Sequence, residues 1–442
     1  MRLWLIPTGY VATSVVCAFA LPRLEQEYLG SYVINLSVAS TQAYLSAAAS
    51  GMMALTAIVF SIAFVMSQFS AIAYSPRLAL LFVRDRTLFH TLGFFTATFI
   101  YSLWTLAWVD RAGSGSVPLF SVLLVVVMVI VSIVLFSLLV QRLNDLQISN
   151  VLHFVGDKGR EVIRQMFRRL DDVPAAQNKL TTKVAADVPM MLVTQTLSYF
   201  GSPRAVARYD IEAIVRHARD AEAVIVMACA VGDTLVEGDP ILRVHGARCM
   251  LDERELMKGI HLETERTFTQ DPKYPIRLLV DIAIRALSPA INDPTTAVQT
   301  IDQIEDLLRR LGRRELDSGY ARDVNGDIRL ILQMPTWEDY LILAFDEIRQ
   351  FGATSVQVMR RLRSALIGIG NSLTSKERID AVDRHLQHLD LMIDRSSLDT
   401  EDRLVARQED RQGLGLSRGQ SRVNGPVPSS SKYNESTLGS PL

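Results

Sequence analysis

Cysteine is scarce in this chain: Cys17, Cys229 and Cys249 are the only three in 442 residues, and no Cys-x-x-Cys pair occurs. Three thiols cannot form a disulfide framework, and a zinc site built from Cys229, His245, Cys249 and His261 lacks the ligand spacing such sites use. The plain reading is small buried residues. Lysine is nearly as rare, with seven residues, and none lies between Val184 and Met257. Net charge is missing too. The 46 Lys and Arg against 47 Asp and Glu leave −1, which is no footprint for nucleic acid as a partner. There is no nucleotide loop, no Ser/His/Asp arrangement and no convincing metal cluster, so an enzyme ranks third among the expectations and no cofactor is expected.

The most informative absence is that of charge from long apolar stretches. No Asp, Glu, Lys or Arg lies between Arg111 and Arg142. A helix over Val117 to Val140 would be about 36 Å long, enough to cross a hydrocarbon core of roughly 30 Å with some tilt. Segments 3–21, 43–69 and 88–109 read the same way, which makes 1–140 a four-helix transmembrane region with spans 3–21, 43–69, 88–109 and 117–140. Ala18-Phe19-Ala20 resembles a signal-peptide cleavage site, but Thr8, Gly9, Thr13 and Ser14 dilute the apolar run, so span and signal peptide both stay open. The loop with Arg77, Arg84 and Arg86 and the segment after Arg142 are arginine-rich, whereas Arg23 faces Glu25 and Glu27; the arginine-rich sides are therefore expected in the cytoplasm. A bacterial inner membrane, with the large C-terminal domain in the cytoplasm, is the expected location.

The second span is rich in small residues, Ser46 to Gly51, Ala54 and Thr56, which let helices approach closely in lipid. Ser50, Gly51, Thr56, Ser61 and Gln68 are the candidates for helix packing or a pathway, with packing favoured. No Asp, Glu, Lys or Arg lies well inside any span, which disfavours a proton-coupled carrier or a voltage sensor.

Beyond Gln141 the helical spacing of Leu143, Leu146, Val151, Phe154 and Val155 predicts that the last span continues as a stem helix over 141–170, followed by a polar linker at 171–187. In Val224 to Val244, alternation broken by Gly232-Asp233 and Gly238-Asp239-Pro240 predicts short strands joined by tight turns. That stretch resembles half of a biotinyl/lipoyl-type barrel-sandwich hybrid. Met191 to Tyr209 would supply opposing strands and Asp210 to Ala221 an inserted helix, within a small β module at 188–250. Without a lysine at a hairpin tip, no covalent biotin or lipoyl group is expected.

Residues 251–395 read as mainly helical. In ALSPAINDPTTA, Pro289 helps end one helix, Asn292 or Asp293 can cap the next, and Pro294 suits its first turn. Arg277, Arg285, Asn292, Asp293 and Thr295 are the candidate ligand-binding residues, as an anion corner at a helix N-terminus; capping and solvated arginines are the plainer reading. Thr336 and Asp339 form a capping box. His385 and His388 are read as part of a solvated face, and 396–442 as a disordered tail. The fold class expected is a membrane protein: a four-helix transmembrane region and a cytosolic α+β domain with a small barrel-sandwich-like β module and several helices.

Three stretches carry a family resemblance: SAAASGMMALTAIVFSIAFVMSQFSAIAYSPRL at Ser46 to Leu78, FTATFIYSLWTLAWVDR at Phe95 to Arg111, and RALSPAINDPTTAVQTIDQIEDLL at Arg285 to Leu308. Together they resemble a bacterial family of predicted membrane proteins, domain of unknown function 2254, over roughly Met1 to Asp394. The resemblance implies a multi-span N-terminal region and a soluble C-terminal domain, and no reaction. The function expected is a non-enzymatic homo-oligomeric channel, transporter or transport-associated component in the lipid bilayer, with a cytosolic regulatory domain. The alternative is a membrane-tethered ligand-binding or scaffold protein.

Overall fold

The apolar stretches of the first half have no competing polar pattern, and they fold as long helices. In the computed structural model, which describes residues 4–29, 37–73, 86–111, 117–144, 147–170, 192–317 and 319–414, these are α1 (Leu5–Leu29), α2 (Val38–Ala73), α3 (Arg86–Trp108) and α4 (Leu119–Asn144). Among the described residues three helices are long and apolar enough to cross a membrane: Leu5–Glu25, Val38–Val65 and Leu119–Gln141, with mean hydropathies of 1.6, 2.0 and 3.4. Four were expected. The exception is α3, and its packing gives the reason. It touches α1, α2 and α4, and it turns Thr91, Thr98, Ser102 and Thr105 inward, where all are fully buried. Its hydropathy is thus lowered by side chains that meet protein. Thr98 and Ser102 donate to the carbonyls of Phe94 and Thr98, both at 2.8 Å, which removes two hydroxyls from the apolar surroundings.

The last span does not run on as one continuous rod. Gln147 is extended (φ −61°, ψ 141°), and a new helix, α5 (Ile148–Met166), starts after it. The helix is strongly amphipathic and buries Val151, Leu152, Val155, Val162 and Ile163. Its partners are α8 (Lys273–Ala286) and α9 (Pro294–Leu311), so it belongs to the core of the helical layer and is not a free stem. Gly159 sits at a close approach: a Cβ there would stand 2.8 Å from both methyls of Leu307. The expected linker, 171–187, lies outside the described residues.

The alternating stretch forms β3 (Val224–Met227), β4 (Thr234–Leu235) and β5 (Pro240–His245), and the turn glycines Gly232 and Gly238 both adopt φ +91°. With β1 (Val193–Ser198), β2 (Arg204–Tyr209) and α6 (Ile211–Asp220), these supply most of the expected module. The sheets nonetheless reach past 188–250. One has the order β1-β5-β3-β8-β7, taking in β7 (Tyr320–Arg322) and β8 (Ile328–Ile331); the other is β4-β2-β6, ending on β6 (Ile260–Glu263), which follows α7 (Glu253–Lys258). Alone, β3 would be an open edge. The parallel pairing of Ile225 with Leu330 and of Val226 with Ile331 closes it. The two sheets share a core of Leu197, Val206, Ile225, Leu242, Val244, Ile260 and Leu330.

The helical layer continues with α10 (Trp337–Phe351), α11 (Val356–Gly370), α12 (Lys376–Arg395) and α13 (Thr400–Ala406). Thr336 and Asp339 form the expected capping box. Two expectations fail here. His385 is buried at 4% exposure, beside Phe345 and between Glu338 and Asp346, and does not lie on a solvated face. Residues 396–414 are ordered and not a disordered tail: Ala406 and Asp410 are buried, and Gln357 donates to the Gly413 carbonyl. The reason is electrostatic as much as apolar, since the Asp410 carboxylate lies 3.9 Å from the guanidinium of Arg360, itself 1% exposed. Residues 415–442 lie outside the described residues.

Candidate functional site

The connection between α8 and α9 is built from local rules. Asn292 takes a left-handed conformation (φ 48°), which its short polar side chain tolerates, and Asp293 then caps α9. The Asp293 carboxylate accepts from the Thr296 backbone N–H at 3.1 Å and from the Thr296 hydroxyl at 2.6 Å. The positive end of α9 therefore already holds an anion. Asn292 and Thr295 are exposed, and Arg285 is half-buried near the end of α8. Arg277 is committed elsewhere: its Nε donates to Asp281 at 2.7 Å, and its fork grips Glu347 on α10, with Nη2 2.9 Å from Oε2. The hydrogen bonds to Glu347 raise the guanidinium pKa further, and the same bonds hold the Glu347 carboxyl below the usual range. Of the five residues named for an anion corner, Asp293 and Arg277 are thus each engaged within the chain.

In the membrane half, α2 has two faces. Thr41, Leu45, Ala49, Met52 and Val59 are buried. Ala47, Ser50, Gly51, Ala54, Ala57 and Ser61 are exposed, and nothing lies within 4 Å of where a Cβ at Gly51 would stand. Thr56 is half-buried, with its hydroxyl donating to the Met52 carbonyl at 2.8 Å. The Gln68 side chain lies outside the described residues.

Sequence reasoning missed the cavity of about 880 Å³ between α1, α3 and α4. Its walls include Tyr10, Ser14, Cys17, His90, Tyr101 and Met128. The Tyr10 hydroxyl is 3.2 Å from His90 Nδ1, and Ser14 donates to the Ala97 carbonyl at 2.7 Å. The signal was present as the spacing of Tyr10, Ser14 and Cys17, which places all three on one helix face. Of the cysteines outside the apolar helices, Cys229 is buried against the Tyr209 hydroxyl and Cys249 is exposed. Among the described residues no group of three or more His, Cys, Asp or Glu side chains could hold a metal ion.

The family described as "predicted membrane protein (DUF2254)" matches residues 1–367. The chain belongs to this family. An uncharacterised protein of Mycobacterium tuberculosis (strain CDC 1551 / Oshkosh) is 25% identical over 415 residues, covering 91% of this chain and 78% of the relative. An uncharacterised protein of Mycobacterium bovis (strain ATCC BAA-935 / AF2122/97) is similar to the same extent, 25% over 415 residues. No solved structure matches the chain. The family match takes in the apolar helices, both sheets and the α8–α9 connection, and runs into α11.

Proposed function

We propose that the protein is a non-enzymatic inner-membrane protein that assembles as a homo-oligomer, forming a channel, transporter or transport-associated component with a cytosolic regulatory domain. The observation that carries this reading is the two-faced α2. One face packs inside the chain, and the other presents Ala47, Ser50, Gly51, Ala54 and Ser61 outward. Bare small residues gain little from lipid and much from a close helix partner. In this reading α3 crosses the membrane beside its neighbours, because its polar side chains are buried among them. The arginine-rich loops are what supports a cytoplasmic position for the sheets and the helical layer in this reading.

Purified protein should sediment in mild detergent as an oligomer, and Gly51→Leu, which has open space around it within the chain, should yield a folded monomer. Liposomes carrying the wild type should show an ion or solute flux that Gly51→Leu lacks. A wild-type monomer without flux defeats the proposal.

The break at Gln147 favours a second reading, in which the helices only anchor a ligand-binding or scaffold domain. A rod that is interrupted transmits rotation and tilt less faithfully than a continuous helix. Under that reading the C-terminal domain works equally well on an unrelated membrane anchor.

A further inference from the structure

A cavity of about 370 Å³ opens at the seam where the β module meets the helical layer. Its walls come from five separate parts of the chain: the end of α5 with Gln165, the end of β2 with Tyr209, the β3–β4 connection with Val231, the loop at 269–273, and the segment after β8 with Gln333. Its volume falls in the range of small-molecule sites, as does the mixture of apolar walls with a few polar groups.

The chemistry of the walls is one-sided. None of the described residues lining the cavity is acidic, and Lys273 brings an ammonium group. Gln165, Thr269, Gln270 and Gln333 add amides and a hydroxyl. Two of these are held in place: the Gln270 amide bonds both ways with the Tyr209 backbone, at 2.9 and 3.1 Å, and Gln333 Nε2 donates to the Ala228 carbonyl at 3.2 Å. Behind the wall stands Asp271, 1% exposed, flanked by two cations, Lys273 and Arg266. Burial raises the Asp271 carboxyl pKa, against the pull of those cations. Arg266 in turn donates to the Gly232 carbonyl at 2.5 Å, holding the β3–β4 turn against the same loop. Of these three charged groups, Lys273 is the one that lines the cavity.

We infer that this seam is a binding site for a small organic anion, a carboxylate or phosphate ester on an apolar body, with Lys273 as its charge partner. It deepens the regulatory reading of the domain by naming the class of effector, and it rests on that reading for its role but not for binding. Its position gives the anion leverage. Gln165 belongs to the helix that follows the last span, while Val231 and Gln333 belong to the sheet, so a bound anion ties α5 to the β module.

The test uses the full chain in detergent, with thermal unfolding and equilibrium binding of benzoate and phenyl phosphate against neutral benzamide and cationic benzylamine. The two anions should stabilise the protein saturably and the two controls should not. Lys273→Met should weaken anion binding at least tenfold, and Lys273→Arg should retain it. Val231→Phe, which fills the cavity without touching a charge, should abolish binding and covers the case in which Lys273→Met fails to fold. Failure of both anions to give saturable stabilisation, equal stabilisation by benzamide, or anion binding that survives Lys273→Met and Val231→Phe overturns the inference. No flux is measured, so a lost channel activity and a lost anion site remain separate results.

Discussion

Glu25, near the end of α1, caps the first turn of α4 at Ser121. Its carboxylate accepts from the Phe120 N–H at 2.8 Å, and from both the Ser121 N–H and the Ser121 hydroxyl at 3.1 Å. Two apolar helices that touch only lightly are thereby pinned at one end by a charge-assisted cap. Removing a cap costs about 1 kcal/mol, up to about 2. Glu25→Ala should lower the thermal stability of the detergent-solubilised protein accordingly, while Glu25→Gln, which keeps one acceptor, should lose less. Equal stability of wild type and Glu25→Ala would show that the contact contributes nothing.

His385 gives the helical layer a dependence on pH. Burial depresses its pKa below the ordinary value of 6.5, and the carboxylates of Asp346 and Glu338, each 3.7 Å from a ring nitrogen, only partly offset this. A base with a depressed folded pKa takes up its proton more readily when unfolded, so protonation favours unfolding. The stability His385 contributes is present above about pH 6.5 and is lost as pH falls through the folded value. Denaturant melts of wild type and His385→Gln should therefore converge on acidification, with the shallower slope in the variant. Parallel profiles would mean that other groups set the acid response.

Local rules made much of this fold legible. Gly232-Asp233 and Gly238-Asp239 announce two turns of one design, and in both the aspartate accepts from the backbone N–H three residues earlier, at 2.8 and 2.9 Å. Asp293, Pro294 and the Thr336–Asp339 box announced their helix starts in the same way. What escaped was long-range. Nothing in Ile328–Ile331 says that it lies parallel to Val224–Met227, because pairing across such a distance is decided by which edge is open. The polar residues 396–414 look like a tail until the buried charge of Arg360 is known to face Asp410. His385 looks solvated because its neighbours in sequence are charged, while its neighbours in space include Phe345. The small-residue candidates on α2 were visible from composition, but their outward placement was not. The cavity at Lys273 was invisible, being assembled from five separate parts of the chain.

The close docking of α5 is a steric requirement at Gly159. An added methyl would stand 2.8 Å from both Leu307 methyls, closer than carbon contacts allow, and 3.3 Å from Pro275 Cβ. Gly159→Ala gains helix propensity of about 1 kcal/mol, yet overpacking costs typically about 1–3 kcal/mol, so the balance should be destabilising or near zero. Gly159→Leu cannot be accommodated and should undock the helix. Hydrogen exchange over Ile148–Met166 reads this directly: fast exchange in Gly159→Leu with protection kept in α11 is the expected pattern.

The α5 packing also decides where the C-terminal domain begins. A fragment cut at the polar linker, 188–395, would discard Val151, Leu152, Val155 and Ile163, all buried in the core that α8 and α9 form. Full burial of such side chains is worth about 1.5–3 kcal/mol each, and a domain is stable by only about 5–15 kcal/mol. The same cut would remove Asp410 from Arg360, and breaking a buried pair by deleting one partner costs about 3–5 kcal/mol. Either loss is a large fraction of the total, and together they exceed the lower end of it. Fragment 147–414, which keeps both, should be monodisperse by gel filtration and unfold cooperatively, whereas 188–395 should aggregate or lack near-UV dichroism. A cooperative, well-folded 188–395 would mean that α5 and residues 396–414 merely rest on the domain.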